Sequence, residues 1–360
     1  MLRFVTQIVL ILCSSNLAAQ NDISYYQVSE AFRAQTNLNQ KMLDVTRLNE
    51  SLSTLTQENF VARGTFTFPE GINGISDRSL KRQVTKAVNE NLERELLRAY
   101  RKMMVLELEI DGILRKIEAH NEYIDLISGK IEAGLASQWD LDVAKSQLAN
   151  INLKYSRYKT ALQLSKKILS GSTGIPIAEN DSISDPDFLR QAQAPDLDKS
   201  DRYIRGAQST NAAKGVLNLL KNASGSSSRY RLQFNYPYFV FMDPNLQSGA
   251  ALSFTNKEDA ERKILLANYL MGSNLSAAVT SDLLSLNFLA SQMSSTVTQK
   301  LSTEKQLKNL DTLRDRGQIT DEEWIARKIQ YLEIDTNADV SLVEFNIELQ
   351  LFSNLTGTSL

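Results

Sequence analysis

The sequence predicts a mainly α-helical protein of long antiparallel coiled-coil helical hairpins, arranged in two internal repeats with a small β portion. Two observations carry this prediction. Apolar residues from Leu96 to Ile131 alternate gaps of three and four, which is the heptad seam of helices that pack lengthwise. A turn at 134–137 ends this seam, and a turn of the same form lies at 317–320, 183 positions later. Such a repeat indicates a duplicated architecture rather than two unrelated domains.

Residues 1–19 have the pattern of a secretory signal peptide. Arg3 precedes an apolar run over 4–12 that is too short to cross a bilayer as a helix, and small residues end the segment at Ala19. Cys13, the only cysteine, lies inside it. We expect this segment to be removed, which leaves a first repeat over 20–174, a linker over 175–197 and a second repeat over 198–360.

The first repeat is predicted to contain a helix, a short strand and a long helical hairpin. A polar helical pattern runs over 23–58, followed by an alternating segment in which Phe66 and Phe68 are candidate membrane-strand residues. The long helical pattern then runs over about 80–133. His120 lies on its seam, where we expect a structural role.

Each hairpin turn has residues that end one helix and begin the next. Gly134 and Gly317 can adopt the left-handed conformation that ends a helix. Ser137 and Thr320 are predicted N-caps, each with an acidic residue three positions on, as in a capping box. One such turn is an ordinary pair of helix caps. Two of them, each followed at the same distance by Thr-Gly, indicate a duplication.

The second repeat is predicted to begin with a helix over about 199–223, followed by a β-hairpin over 229–255 that has the clearest strand pattern of the chain. Its aromatic and aliphatic residues alternate with polar ones, which gives four candidate membrane-strand residues: Tyr230, Leu232, Phe234 and Tyr236. We expect the strand to continue to Met242, to turn at 243–245 and to return over 250–254. One face of this predicted hairpin is suited to contact with lipid in a membrane. The alternative is that this face packs against the rest of the same protein.

Two further helices complete the second repeat. The first is predicted over 257–316, and its segment 291–306 is rich in Ser, Thr and Gln. That segment either lines water or belongs to a frayed helix. The last helix is predicted over 320–355, with an apolar stripe wide enough to need neighbours on two sides.

Several classes of chemistry are disfavoured by the composition. Lys plus Arg number 40 and Asp plus Glu 42, so the whole chain has no basic field for nucleic acid. A single histidine excludes a histidine-based triad or a multi-histidine metal site. The segment 171–174 ends a helix and lacks the lysine of a phosphate-binding loop. We therefore expect no catalytic residues, no cofactor and no metal.

Acidic residues concentrate near the two turns. If copies of the chain meet in a ring, these carboxylates would attract cations at a pore mouth, and the candidates are Asp140, Asp315 and Asp321. Acidic residues also stabilise helix N-termini through the helix dipole, which is the alternative for the acids at 321–323. The dipole does not account for Asp315, which is predicted at a helix C-terminus.

The order of helix, strands, long helix, Gly-x-x-Ser/Thr turn and helix, repeated once, resembles the TolC-type outer-membrane efflux protein family. The resemblance covers nearly all of the chain after the signal peptide. Its motifs are short, but their order and spacing match the family in both repeats. The segments that carry it are 134–144 with 169–174, 316–320 with 351–357, the strand-to-helix junction at 66–71, and 251–254.

This resemblance implies a homotrimer whose helices form a periplasmic α-barrel and whose strands form a β-barrel in the cell outer membrane. It further implies a passive duct for efflux or type I secretion, docked to a periplasmic adaptor protein and an inner-membrane transporter. The docking tips would be the two turns: Gly134, Leu135, Ala136 and Ser137, and Gly317, Gln318, Ile319 and Thr320.

Two other functions are compatible with long helical hairpins. A periplasmic coiled-coil adaptor also has one, although it should carry flanking β domains around a single hairpin. A secreted structural protein without a complete membrane pore explains the heptads and leaves the repeat and the aromatic strands unexplained. An enzyme is disfavoured, because no catalytic constellation is present.

Overall fold

The computed structural model describes residues 21–56, 78–190, 192–210, 231–235, 238–242, 251–252 and 257–358. The predicted signal peptide and the candidate strand residues Phe66, Phe68, Tyr230 and Tyr236 lie outside these ranges. The described helices are α1 Tyr25–Ala34, α2 Leu38–Thr56, α3 Arg78–Glu132, α4 Gln138–Thr173, α5 Ser200–Ser209, α6 Lys257–Asp315 and α7 Asp321–Thr356. The strands are β1 Arg231–Asn235, β2 Tyr238–Met242 and β3 Ala251–Leu252.

Four long helices form one layer. Contacts join α6 to α7, α7 to α3 and α3 to α4, so that α6 and α4 are the two edges of the layer. α3 has 55 residues and α6 has 59, so each is about 80 to 90 Å long. α2 packs against α3 and α4, and α5 packs against α6 and α7. The predicted fold class of long helical hairpins with a small β portion is confirmed.

The two hairpins have the same local structure. α3 ends at Glu132 and α6 at Asp315, while α4 spans Gln138–Thr173 and α7 spans Asp321–Thr356, so corresponding ends are 183 positions apart. Among the described residues, four glycines have positive φ, at Gly134 and Gly174 in the first hairpin and at Gly317 and Gly357 in the second.

α7 lies between the two halves of the layer. Its Val343 and Ile347 belong to a core cluster with Tyr100 of α3, whereas its Phe345 and Phe352 belong to a cluster with residues of α5 and α6. This arrangement explains the wide apolar stripe that the sequence shows in the last helix.

The segment predicted as one helix over 23–58 is two helices. α1 begins after Ser24, whose side chain accepts a hydrogen bond from the backbone N–H of Gln27 in a capping box. The second helix begins after Asn37, whose side-chain oxygen accepts from the backbone N–H of Gln40 at 3.2 Å. Asn is a favoured N-cap, so its side chain stabilises a new helix start.

The linker between the repeats is fixed to the start of the first repeat. The backbone N–H of Ile23 donates to the carbonyl oxygen of Ser182 at 2.8 Å, within a parallel bridge. Lys166, which is buried, pairs with Glu107 at 2.6 Å and donates to the carbonyl oxygen of Asp181. The linker is therefore part of the packed structure.

The β portion differs from the prediction in the position of its turn. The predicted strand from Tyr230 to Met242 is two strands, because β1 and β2 pair antiparallel with Asn235 opposite Tyr238. β3 pairs with the other side of β1, which gives the order β2-β1-β3. Leu232 and Phe234 lie in β1, and their predicted membrane role remains a prediction.

α6 is continuous through the Ser-, Thr- and Gln-rich segment 291–306. The alternative of a frayed helix is therefore wrong. Apolar residues on one face of this helix, such as Leu286 and Met293, are buried in a cluster with residues of α5 and α7, so packing on that face is enough to hold the helix.

Candidate functional site

The first tip is a sharp turn with an exposed apolar surface. Gly134 has φ 71°, and the backbone N–H of Leu135 donates to the carbonyl oxygen of Lys130 at 2.7 Å, which closes α3. Ser137 and Asp140 form a complete capping box at the start of α4. Leu135 is 76% exposed and Trp139 is 72% exposed. The tip therefore has a rigid backbone and presents two large apolar side chains.

The second tip has the same backbone and a different surface. Gly317 has φ 67°, and the backbone N–H of Gln318 donates to the carbonyl oxygen of Leu313 at 2.8 Å. Thr320 accepts from the backbone N–H of Glu323 at 3.2 Å, so only the first half of the predicted capping box forms. Trp324 donates from Nε1 to Asp311 at 2.6 Å.

Cations cover the aromatic ring of the second tip. The guanidinium carbon of Arg314 lies 4.3 Å from the Trp324 ring centroid, and Nζ of Lys328 lies 5.0 Å from it. Trp324 is half-buried. The first tip thus has an open apolar surface and the second a charged one.

The three candidate pore-mouth acids have different surroundings. Hydrogen bonds from the Ser137 side chain and backbone lower the pKa of Asp140. Asp321 pairs with Arg314 at 2.7 Å, and Asp315 is an exposed residue at the end of α6. Asp140 and Asp321 thus both bond within their own tips, and a joint role at a pore mouth remains a prediction.

Ion pairs join the two repeats along the contact of α3 with α7. Arg101 pairs with Glu348, and Lys116 with Glu333 at 3.5 Å. Three further pairs continue the series toward the tips: Arg115 with Asp335 at 2.6 Å, Glu122 with Lys328 at 2.9 Å and Lys130 with Glu322 at 2.6 Å. The series fixes the register of the two helices.

Asp335 is the centre of this contact. Its side chain is 8% exposed and binds Arg115 of α3 on one oxygen and Lys300 of α6 on the other, each at 2.6 Å. Lys300 also pairs with Asp339 at 2.9 Å. One carboxylate therefore links three helices. Sequence reasoning missed this residue, although a lone acid within the apolar stripe of the last helix was a usable signal.

A close helix crossing lies next to Asp335. A Cβ atom built on Gly112 of α3 would lie 2.1 Å from Oγ1 and 2.7 Å from Cγ2 of Thr336. Real atoms do not approach so closely, so a glycine is required for the two helices to reach this separation. Gly112 and Asp335 together define the joint between the repeats.

The charge on Asp335 predicts a pH dependence of stability. Burial alone would raise the pKa of Asp335, but hydrogen bonds from Lys300 and Arg115 outweigh it and lower the pKa. A lowered folded-state pKa contributes stability above the unfolded value of about 3.9 and loses it as the pH falls through the folded value. We expect Asp335→Asn to be less stable than the wild type at about pH 6, and this difference to shrink progressively as the pH falls below the unfolded-state pKa of about 3.9. Urea titrations at several pH values measure this difference, and a constant difference would contradict the assignment.

The edges of the layer expose apolar and small polar side chains. On α4 these include Leu153 and Leu164, and on α6 they include Leu284, Phe288 and Leu301. A groove of about 1090 Å³ runs between α6 and α7, lined mainly by Ser, Thr and Gln side chains of α6. In the part of the chain that the structure describes, both edges of the layer thus carry exposed apolar or small polar side chains.

The described residues hold no group suited to metal binding, since no cluster of three or more His, Cys, Asp or Glu side chains is present among them. None of the helices that the structure describes is apolar enough over a sufficient length to cross a bilayer. His120 is buried, with Nδ1 2.9 Å from the carbonyl oxygen of Lys116, which agrees with its predicted structural role.

Comparisons with known proteins give matches among solved structures. No protein-family model and no curated protein matches the chain. The structure is similar to that of CusC, which forms a transmembrane channel, with a TM-score of 0.58 and 13% identity over 92% of this chain and 95% of that one. It also matches VceC, an outer-membrane protein of Vibrio cholerae, with a TM-score of 0.49 and 12% identity over 92% and 96% of the two chains. The chain has a TolC-like fold, as the sequence predicted.

Proposed function

We propose that this protein is the exit duct of a tripartite efflux or type I secretion system, in the cell outer membrane with a large periplasmic portion. Three copies would form the duct. The duplicated long hairpin is the observation that carries this proposal, because it gives each chain two tips about 80 to 90 Å from the far ends of its longest helices. That length suits a structure that spans a wide aqueous compartment, and the likeness to the CusC fold supports it.

The helical layer supports assembly from several copies. Among the described residues, α4 and α6 lie at the two edges of the layer of long helices, and each carries exposed apolar side chains. Monomeric soluble proteins seldom leave such surfaces uncovered. Closing the layer with further copies would cover both edges and enclose a passage.

The tips are proposed to dock a periplasmic adaptor that connects the duct to an inner-membrane pump. They are rigid, they are the extreme points of the hairpins, and the first carries exposed Leu135 and Trp139. Tryptophan is among the residues that most often anchor protein interfaces, and Leu135 adds exposed apolar surface to the same tip. The duct itself would conduct passively, with energy supplied by the pump.

A substitution at the first tip tests this function. Leu135→Asp should leave folding and assembly unchanged, since the side chain is mostly in solvent, and should abolish adaptor docking. Cells that lack the native gene and carry the Leu135→Asp variant should accumulate several-fold more ethidium than the same cells carrying the wild-type chain. Leu197→Asp is the matched control, because Leu197 is 45% exposed and lies in the linker.

Equal ethidium levels for wild type and Leu135→Asp, at equal amounts of assembled protein, would show that this tip does not dock a partner. If neither the wild type nor the Leu197→Asp control lowers cellular ethidium relative to the strain without the gene, efflux of this dye is not the function. The proteins secreted by strains with and without the gene are then compared.

A further inference from the structure

A polar cavity of about 450 Å³ lies where α1, α3, α5 and α7 meet. The described residues that line it include two arginines and two glutamates, surrounded by hydroxyl and carboxamide side chains, and none of these described residues has an aliphatic side chain. Glu90 lines the cavity from α3, and the end of that helix at Glu132 is about 60 Å further along its axis. The cavity is therefore separate from the proposed docking tips.

One wall of the cavity is an ion pair with a fixed geometry. The guanidinium of Arg33 donates to both carboxylate oxygens of Glu93, from Nε at 2.9 Å and from Nη2 at 2.8 Å. The Tyr25 hydroxyl donates to the backbone carbonyl oxygen of Glu93 at 3.3 Å. A bidentate pair holds its two planar groups in one orientation, so this wall is rigid.

Glu90 supplies a second carboxylate, whose charge is less well compensated. Its side chain is 31% exposed, and its ion pair with Lys86 is 4.0 Å long. Burial raises the pKa of Glu90 and outweighs the lowering by Lys86 and Arg94. A partly buried carboxylate of this kind is stabilised when a ligand brings a cation closer to it.

Two helices of the second repeat end at the cavity. α5 ends at Ser209, and α7 ends at Thr356, which is followed by Gly357 with φ 63°. Ser209 and Gly357 both line the cavity. The C-terminal end of a helix carries partial negative charge and favours a nearby cation. Both repeats therefore contribute negative groups to the same cavity.

Positive groups line the cavity as well. Arg94 of α3 lines it together with Arg33 of α1. A guanidinium has five N–H donors, so an arginine can bind a ligand carboxylate in addition to its contacts within the chain. The formal charges of the two arginines and two glutamates cancel. A ligand that matches this lining has no net charge and carries separate positive and negative groups.

We propose that this cavity binds a small zwitterion of the amino-acid or short-peptide class. The ammonium group of the ligand lies against Glu90 and the ends of α5 and α7, and its carboxylate lies against Arg94. The carboxamides of Gln350 and Asn354 offer hydrogen bonds to a peptide group. The volume is sufficient for a dipeptide, and the polar lining disfavours a lipophilic compound. The proposal goes beyond the proposed duct, because it requires only the folded chain.

Isothermal titration calorimetry of the full-length chain, purified in detergent, tests this proposal with diglycine as the probe. N-acetyl-diglycine lacks the ammonium group, and diglycine amide lacks the carboxylate. We expect each blocked peptide to bind about ten-fold more weakly than diglycine, because a hydrogen bond to a charged group contributes about that much. Glycine is titrated in the same way, and an affinity equal to that of diglycine would assign the site to amino acids rather than to peptides.

Glu90→Gln tests which group of the protein binds the ammonium. This variant should bind diglycine and diglycine amide about ten-fold more weakly than the wild type does. Its affinity for N-acetyl-diglycine should be that of the wild type, because this peptide has no ammonium group to lose a contact. Glu118→Gln is the matched control, since Glu118 is an exposed carboxylate of the same helix outside the cavity, and it should change none of these affinities.

Three results would overturn the proposal. Neither diglycine nor glycine binds to the wild-type chain, a blocked peptide binds as tightly as diglycine, or Glu90→Gln weakens all three peptides equally. The last result would mean that Glu90 only supports the shape of the cavity. Far-UV circular dichroism checks that each variant folds, and the blocked peptides decide the question on the wild type alone if Glu90→Gln does not. None of these results concerns the tips or the assembly of copies, so the proposed duct is tested separately.

Discussion

Replacing Asp335 by alanine will lower the free energy of unfolding by about 3 kcal/mol. Loss of one partner from a buried ion pair leaves an uncompensated charge, which costs roughly 3 to 5 kcal/mol. Here the lower end is expected, because Lys300 and Arg115 are about a third exposed and keep Asp339 and Asp111 as partners. Urea titration followed by far-UV circular dichroism measures the change.

The matched control for Asp335→Ala is Asp111→Ala. Asp111 binds the same Arg115 at 3.1 Å, but its side chain is 67% exposed. An exposed ion pair contributes about 0 to 1 kcal/mol, so the control should be nearly neutral. Equal effects of the two variants would mean that the buried carboxylate has no special part in joining the repeats.

Gly112→Leu is expected to separate α3 from α7 and to cost about 3 kcal/mol. A Cβ atom at this position already overlaps Thr336, and overpacking a tight contact costs roughly 1 to 3 kcal/mol, with additional loss when helices must move apart. The same urea titration measures the cost, and the ion pairs beside the crossing should lengthen in a structure of the variant.

Gly129→Leu provides the control for Gly112→Leu. Gly129 lies in the same helix, but a Cβ atom built on it meets nothing within 4 Å. Leucine has a higher helix propensity than glycine by roughly 1 kcal/mol, so Gly129→Leu should be neutral or slightly stabilising. If Gly112→Leu is also neutral, the close crossing is not a constraint on the fold.

The helical hairpins were predictable from sequence because their signals are local. A heptad seam, a glycine able to take positive φ and a hydroxyl N-cap each act within one or two turns of helix, and both hairpins are placed to within a few residues. The break before α2 was missed because Asn37 lies in a polar stretch where the periodicity is weak. The early end of β1 was missed because the pattern of aromatic and aliphatic residues continues past Asn235 and on through Tyr238.

The contacts between helices could not be predicted in the same way. The link from Asp335 to both Arg115 and Lys300 depends on which helices are neighbours, and a heptad seam does not identify its partner. The difference between the tips likewise depends on contacts of Trp324 with Arg314 and Lys328, which only the folded hairpin brings together. The candidate tip residues were nevertheless located correctly within the two turns.

The central claim is that copies of this chain assemble into a duct in the outer membrane. Cell fractionation followed by gel electrophoresis without boiling tests it most directly. We expect a heat-sensitive band of three chains, extracted from the outer membrane by detergent, that becomes a single-chain band on boiling. A single-chain species in the soluble periplasmic fraction would contradict it.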